Sequence, residues 1–344
     1  MSVILGFTPR IHLKMDSRDK AGNGAGIGRD DKQKRIPYSN GMTKAPIHAL
    51  YGDPPRQLVD IPADAQQFSP LIPGAAQMKH CADGSVASFI LHAPPGTLER
   101  RYVLARALKT LAVGAPLTAL AGKDKGGSRI AKELEDFGCI VVDTPRAHHR
   151  IVTTPRPAEL RGIEEAITEG GPQLHPAHGL WTHPGVFSWD RLDAGSALLL
   201  EHLPTLSGNG ADLGCGIGVL SRAALKSQNV TALTLVDIDR RAVAMAEKNI
   251  TDLRAKFLWA DLRDLLAGDL DFIVMNPPFH ASGMEDRTLG QLFITRAASM
   301  LKQGGQLWLT ANQHLPYEAL LKQHFTQWER IAQNALYKIY RCTK

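Results

Sequence analysis

The sequence predicts an α/β chain made of two tandem, doubly wound units. Three observations predict it. Short apolar segments alternate with stretches of helical periodicity between about residues 88 and 310, the pattern of a parallel sheet covered by helices. A glycine run, Gly214-Cys-Gly-Ile-Gly218, joins an apolar segment to a helical one. A strand, Pro-Pro, helix segment occurs twice, once in each half of the chain.

Residues 1–45 are rich in Gly, Asp, Lys and Arg and lack apolar periodicity, so a disordered basic tail is expected there. Its glycines at 22, 24, 26 and 28 follow no strand, which argues against a phosphate loop. Met42 precedes the first patterned segment, and a natural start at Met42 is expected. Residues 46–165 read as a first α/β unit: strands at Ser88–His92, Leu117–Ala121 and Cys139–Val142, and helices at Leu98–Leu111 and Arg129–Phe137. The segment 166–184, with Gly170-Gly-Pro172, Pro176 and Pro184, reads as a linker or cover loop. Residues 185–344 read as a second unit. Its expected helices are Ser196–Leu203, Leu220–Lys226, Arg241–Ile250 and Leu289–Leu301. Its expected strands are Ala211–Leu213, Ala232–Val236, Ala255–Trp259, Phe272–Met275 and Gln306–Thr310.

The repeat ties the halves together. Ser88-Phe-Ile-Leu-His-Ala-Pro-Pro-Gly96 parallels Asp271-Phe-Ile-Val-Met-Asn-Pro-Pro-Phe279, and Leu111–Leu117 parallels Leu301–Leu307. The economical reading is a duplicated domain; the alternative is chance similarity of two buried strands ending in helix-starting prolines. The copies differ where chemistry would occur. Asn276 corresponds to Ala93, Phe279 corresponds to Gly96, and the first copy has no glycine loop. A structural or substrate-binding role is therefore expected of the first copy.

Composition narrows the class. Apolar residues make up 44% and charged residues 22%, as in globular chains. No apolar run is long enough to span a membrane, and no secretory signal is present. The four cysteines form no C-x-x-C pair, so neither a zinc site nor a disulfide framework is suggested. The net charge is +6, of which residues 1–45 carry +5, so bulk charge does not establish a nucleic-acid partner.

Four elements carry chemistry. The loop Asp212-Leu-Gly-Cys-Gly-Ile-Gly218 lets the backbone approach a ligand and leaves free N–H groups at a helix start, although a plain strand-to-helix turn reads the same way. Asp237 follows 19 residues after Gly218, a placement suited to accepting from ribose hydroxyls. Asp261 follows the next strand, Ala255–Trp259, near the expected position of an adenine amine; a helix cap before Leu262 is the alternative. The fourth element, Asn276-Pro-Pro-Phe279, decides reaction class. A ring-conjugated amine is a poor nucleophile because its lone pair is delocalised. Two acceptors, the Asn276 side-chain oxygen and a Pro277 carbonyl, would draw it toward sp³ geometry and stabilise the developing charge. Phe279 offers a stacking face for a base taken out of its helix.

In this order the motifs resemble class I S-adenosylmethionine-dependent methyltransferases acting on amino groups. Gly185-Val-Phe-Ser188 ahead of Asp193-Ala-Gly-Ser196, then Asn276-Pro-Pro-Phe-His280, then Tyr337-Lys-Ile-Tyr340, narrow the resemblance to the bacterial 16S rRNA (guanine-N2)-methyltransferase C family, with its methyltransferase small domain. The resemblance covers residues 180–343 clearly and 48–145 more weakly. It implies two tandem Rossmann-like methyltransferase domains, the N-terminal one degenerate and the C-terminal one a seven-stranded doubly wound sheet. It implies S-adenosyl-L-methionine as cofactor. Gly214, Gly216 and Gly218 would pack against it, Asp237 would hold its ribose, and Asp212 and Asp261 would belong to the same site. Gly185 to Ser188, Phe187 included, would cover the pocket, and Asn276, Pro277 and Phe279 would hold guanine. The implied partner is rRNA or the small ribosomal subunit, with no membrane and no metal, for a monomer in the cytoplasm.

Rival acceptors that share the Asn-Pro-Pro pattern are adenine N6 and a protein glutamine N5; a non-catalytic RNA-binding assembly factor is a rival of another class. His175, His178 and His183 read as surface-loop residues, and His148-His149-Arg150 as solvated. Lys338, Arg341 and Lys344 read as phosphate contacts or a charged strand edge.

Overall fold

In this computed structural model, residues 46–266, 268–278, 280–281, 284–285 and 287–344 are described. The tail expected at 1–45, with its start at Met42, lies outside them, as does Phe279.

The N-terminal sheet contains β1 (Ile47–Tyr51), β2 (Gln66–Gln67), β3 (Val86–His92), β4 (Pro116–Gly122), β5 (Val142–Arg146) and β6 (His149–Pro155). Helices α1 (Thr97–Thr110), α2 (Gly127–Asp136) and α3 (Ile163–Glu169) accompany it. Strands lie in the order β2-β1-β3-β4-β6-β5, parallel from β2 to β4 and with β6 antiparallel to both neighbours. Val103, Leu104, Ala107 and Leu108 of α1 form an apolar stripe buried in the same core as Phe89, Leu91 and Leu117.

A short hairpin, β7 (Gln173–Leu174) with β8 (Trp181–Thr182), occupies the segment expected to be linker. The C-terminal unit then runs α4 (Ala194–His202), β9 (Gly208–Leu213), α5 (Val219–Ala224), β10 (Val230–Asp237), α6 (Arg240–Asn249), β11 (Ala255–Trp259) and β12 (Leu270–Met275). A two-residue pair follows, β13 (His280–Ala281) with β14 (Met284–Glu285), then α7 (Arg287–Met300), β15 (Leu301–Asn312), α8 (Glu318–His324), β16 (Gln327–Gln333) and β17 (Tyr337–Thr343). The sheet has seven strands in the order β11-β10-β9-β12-β15-β17-β16. Only β17 runs against its neighbours. Strand β12 shows why a central strand reads as one apolar run. Ile273 and Met275 enter the core on one face, Phe272 and Val274 the core on the other, and all four are buried.

The two sheets share one topology. Strands β2, β1, β3, β4, β6 and β5 fall in the order of β10, β9, β12, β15, β17 and β16, with no N-terminal counterpart of β11 among the described residues. The sequence repeat maps β3 onto β12 and the approach to β4 onto that to β15. The shared topology therefore extends to strands whose sequences show no likeness. What the N-terminal copy lacks is helical: among the described residues, no α-helix joins β1 to β2 or β2 to β3.

Several expectations need correction. The strand expected at Cys139–Val142 begins only at Val142, and the sequence pattern does not mark β1, β6, α3, α8 and β16. Edge strands β5 and β16 are mostly exposed and polar, so apolar patterning cannot reveal them. Lys338 and Arg341 lie on β17, an inner strand. Lys338 Nζ is buried and donates to Leu315 O (2.8 Å) and Glu318 Oε1 (2.9 Å), and Arg341 pairs with Glu329. Lys344 Nζ donates to His324 O at 3.4 Å. His183 is buried, not on a surface loop: it meets Tyr102 edge-on at 5.3 Å, and burial pushes its imidazole down to about 4. Arg150 pairs with Asp143 on the neighbouring strand rather than with solvent alone.

The units meet beside β10. Arg241 bridges Asp239 and Glu99 of α1, while Arg240 donates to the carbonyls of Ala75 (2.7 Å) and Ala76 (3.1 Å). Pro70 O accepts from Arg240 N (3.0 Å) and Trp259 Nε1 (3.1 Å).

Candidate active site

A cleft of about 320 Å³ opens at the carboxyl ends of β9, β10 and β12. This is the switch point of the sheet: from β9 the chain builds β10 and β11 outward on one side and β12 and β15 on the other, which leaves a crevice between the two directions. Gly214 and Gly216 line it, and their left-handed φ values of 74° and 53° fold the loop after β9 into a tight turn. Apart from its chain neighbours, no atom of the described residues lies within 4 Å of a Cβ position at Gly216, so a ligand can lie directly on this backbone.

Asp237 ends β10 and lines the cleft. Its Oδ2 accepts from Gly216 N at 2.8 Å and its Oδ1 from Asp239 N at 2.8 Å, so the carboxylate is fixed in orientation. Burial pushes this carboxyl up to about 6, against the pull of those backbone N–H groups. Asp261 also lines the cleft and caps the short turn Leu262–Asp264, accepting from Arg263 N at 2.9 Å. Burial disfavours its charge, yet the Arg263 hydrogen bonds outweigh burial and hold the carboxyl below the usual range. Asp261 thus caps the turn, as one sequence reading expects, and lines the cleft as well. Ile238, Leu262, Leu292 and Phe293 supply apolar walls, and Phe187, 59% exposed, stands at the rim.

Opposite Asp237 stand Asn276, Pro277 and Pro278 at the tip of β12. The Asn276 amide nitrogen donates to Asp193 Oδ2 (2.7 Å) and Ser196 Oγ (2.9 Å), at the start of α4. Asp193 Oδ2 also accepts from Ser196 N at 2.7 Å, which makes it the cap of that helix.

Seven residues expected in the site thus share one cleft: Phe187, Gly214, Gly216, Asp237, Asp261, Asn276 and Pro277. Three do not line it. Asp212 points to the other face of β9, fully buried, with Oδ2 accepting from Ser221 Oγ at 2.6 Å and Oδ1 without a partner among the described residues. Burial raises its carboxyl to about 7. The alternation of a strand decides this, because Leu213 takes the other face. Gly218 starts α5; a Cβ there would stand 2.8 Å from Ile250 Cδ1, so the residue serves close packing. Gly185, at φ 95°, faces the junction between units: a Cβ would fall 2.3 Å from the Glu99 carboxyl carbon. Phe279 lies outside the described residues. The sequence reading assigned no role to Asp193 and Ser196, although the segment Asp193-Ala-Gly-Ser196 was singled out and an Asp ahead of a helix is a readable cap. Among the described residues no group of three or more His, Cys, Asp or Glu is placed to hold a metal ion, and no helix is long and apolar enough to cross a membrane.

The methyltransferase small domain family matches residues 177–341. A ribosomal RNA small subunit methyltransferase C from Shewanella loihica is 36% identical over 248 residues, which is 70% of this chain and 72% of that protein. The chain belongs to the ribosomal RNA small subunit methyltransferase C family. A family member from Shewanella baltica is 40% identical over 158 residues, or 45% of this chain and 46% of its own. The fold is that of a T. thermophilus 16S rRNA N2 methyltransferase solved with AdoMet and guanosine, with a TM-score of 0.71, 24% identity, and 87% and 88% of the two chains covered.

Proposed function

We propose that this chain transfers a methyl group from S-adenosylmethionine to the exocyclic N2 amine of a guanine in small-subunit rRNA. One observation carries the reading: the Asn276 amide, tethered through its nitrogen, stands at the end of β12 in the same cleft as Asp237 and Gly216. The name of the Shewanella relatives supplies the substrate class, and the ligands of the T. thermophilus structure are those this cleft is read to take.

The residues present fit the cofactor. Asp237 is ready to accept from two ribose hydroxyls, Gly216 admits a close approach beside Gly214, and Ile238 and Leu262 suit the faces of a purine. Asp261 suits an amino group at the purine edge, and Phe187 at the rim suits a cover. The bound cofactor would supply an electrophilic methyl group on a sulfonium, a good leaving group. Asn276 Oδ1 and the Pro277 carbonyl then accept from the two N–H bonds of the incoming amine. They align its lone pair and stabilise the charge that grows on nitrogen. Prolines 277 and 278 stiffen the turn, so these acceptors need little reorganisation. Phe279 stacks the base in this reading. Residues 185–344 form the catalytic domain, residues 46–165 a degenerate copy with a structural or substrate-binding role, and the whole acts as a monomer.

Mass mapping of rRNA nucleosides in a strain lacking the gene tests the proposal. Loss of one N2-methylguanosine, restored by the full chain, is the expected result. Unchanged rRNA methylation would overturn the acceptor assignment, and failure of the purified protein to bind S-adenosylmethionine would overturn the activity.

A further inference from the structure

An asparagine amide can face a ligand in two ways, with its oxygen or with its nitrogen, and the two orientations differ by a half-turn that costs little in volume. For an amine acceptor only the first is productive, because the second places donors against donors. Nothing in the sequence of the Asn-Pro-Pro turn selects between them. The selection comes from α4. Asn276 Nδ2 carries two N–H donors, and both have acceptors there, Asp193 Oδ2 at 2.7 Å and Ser196 Oγ at 2.9 Å. With the nitrogen so engaged, Oδ1 is the amide atom left to face the cleft that Asn276 lines. The flipped amide would instead set its oxygen against a carboxylate oxygen, a contact that repels.

The surroundings hold this arrangement in place. Ser196 is 8% exposed, and Asp193 Oδ2 is pinned by the Ser196 N–H at 2.7 Å. Between them Gly195 lets α4 lie close to the sheet: a Cβ there would stand 2.8 Å from the Tyr337 ring and 3.1 Å from Thr310 Oγ1. The segment Asp-Ala-Gly-Ser thus reads as one device, a cap, a close contact and a second tether. The carboxylate adds an electrostatic effect, since a negative acceptor on the amide N–H polarises the group and makes Oδ1 a stronger acceptor.

We propose that Asp193 and Ser196 are positioning residues for methyl transfer, which lock the Asn276 amide with its oxygen toward the acceptor amine. This rests on the reading that Asn276 receives that amine. Their effect falls on turnover and not on cofactor binding, because neither lines the cofactor side of the cleft.

The test uses the full chain with Ser196→Ala and Asp193→Ser. Serine is itself a good helix cap but is too short to reach Asn276, so the second variant separates capping from tethering. With small ribosomal subunits lacking the modification as substrate, kcat is expected to fall roughly 3- to 10-fold for Ser196→Ala and roughly 10- to 100-fold for Asp193→Ser, the loss of a neutral and of a charged hydrogen bond. The affinity for S-adenosylmethionine and the thermal midpoint should stay near those of the parent. A second readout needs no cofactor. In asparagine-labelled protein the Asn276 side-chain amide protons, assigned by their disappearance in Asn276→Ala, should be shifted downfield and exchange slowly, and both features should fade in each variant. Unchanged kcat, unchanged amide resonances, or a loss confined to stability or cofactor affinity would overturn the positioning role. If Asn276→Ala itself keeps parental turnover, the function reading fails instead, and the resonances still report whether the tether exists.

Discussion

The two halves of the molecule carry the same turn in two chemical states. In the C-terminal unit, Asn276-Pro277-Pro278 faces an open cleft, and the side chains that bind Asn276 hold it from behind. In the N-terminal unit, the counterpart turn Ala93-Pro94-Pro95 has its carbonyls occupied from within: Arg100 Nη1 donates to Pro95 O at 2.8 Å and Pro94 O at 3.3 Å. Arg100 is 1% exposed and is held by Glu133 through two bonds of 2.7 Å. The comparison teaches how one backbone turn can be kept in two different settings of the same topology. A backbone turn that presents acceptors must give them to something. In the N-terminal turn a buried guanidinium satisfies them, and the buried carboxylate balances the charge.

The comparison can be broken most directly at Arg100. Arg100→Met leaves Glu133 buried without its cation, and the expected cost is about 3–5 kcal/mol in urea unfolding of the full chain. Adding Glu133→Gln should return much of that loss. A single substitution without effect would mean that the N-terminal turn is not held by this pair. On the other side, Asn276→Ala removes an acceptor that Ala93 already lacks in the first copy. Turnover is expected to fall about 10²- to 10³-fold, with S-adenosylmethionine affinity retained by calorimetry. A loss of affinity instead would place Asn276 in cofactor binding.

The smallest effect sharpens the contrast at Asp237, which ends β10 just ahead of α6, a helix without an N-terminal counterpart among the described residues. A carboxyl raised to about 6 in the free protein must be ionised to accept from two hydroxyls. Ligand binding therefore favours the deprotonated form, and affinity should be full above pH 7 and fall as pH drops through 6. The fall should reach roughly tenfold one unit below that value, as measured by calorimetry at pH 7.5 and pH 5. Flat affinity across that range would show that Asp237 does not hold the ribose.

Much of the architecture was readable because local pattern and tertiary role coincide. Strand β11 occupies the residues expected of it, Ala255–Trp259, and α6 and β12 lie within two residues of expectation. The polar edge strands β5 and β16 escaped because their neighbours are water and one strand, which impose no apolar pattern. The same limit applied to Lys338, whose place on an inner strand depends on β17 inserting between β15 and β16.

By itself the sequence determined the class of chain, the glycine loop, the acid that ends β10, and an Asn-Pro-Pro turn at a strand tip, each a matter of residue types within one short segment. Only the tertiary structure decided that Asp212 lies beneath the cleft, that Gly185 serves the junction with Glu99, and that Asp193 and Ser196, some 80 residues before Asn276, hold its amide. The reason is physical. Periodicity records which face of an element is dry, but which distant side chain meets that face depends on strand order, and strand order is a property of the whole sheet.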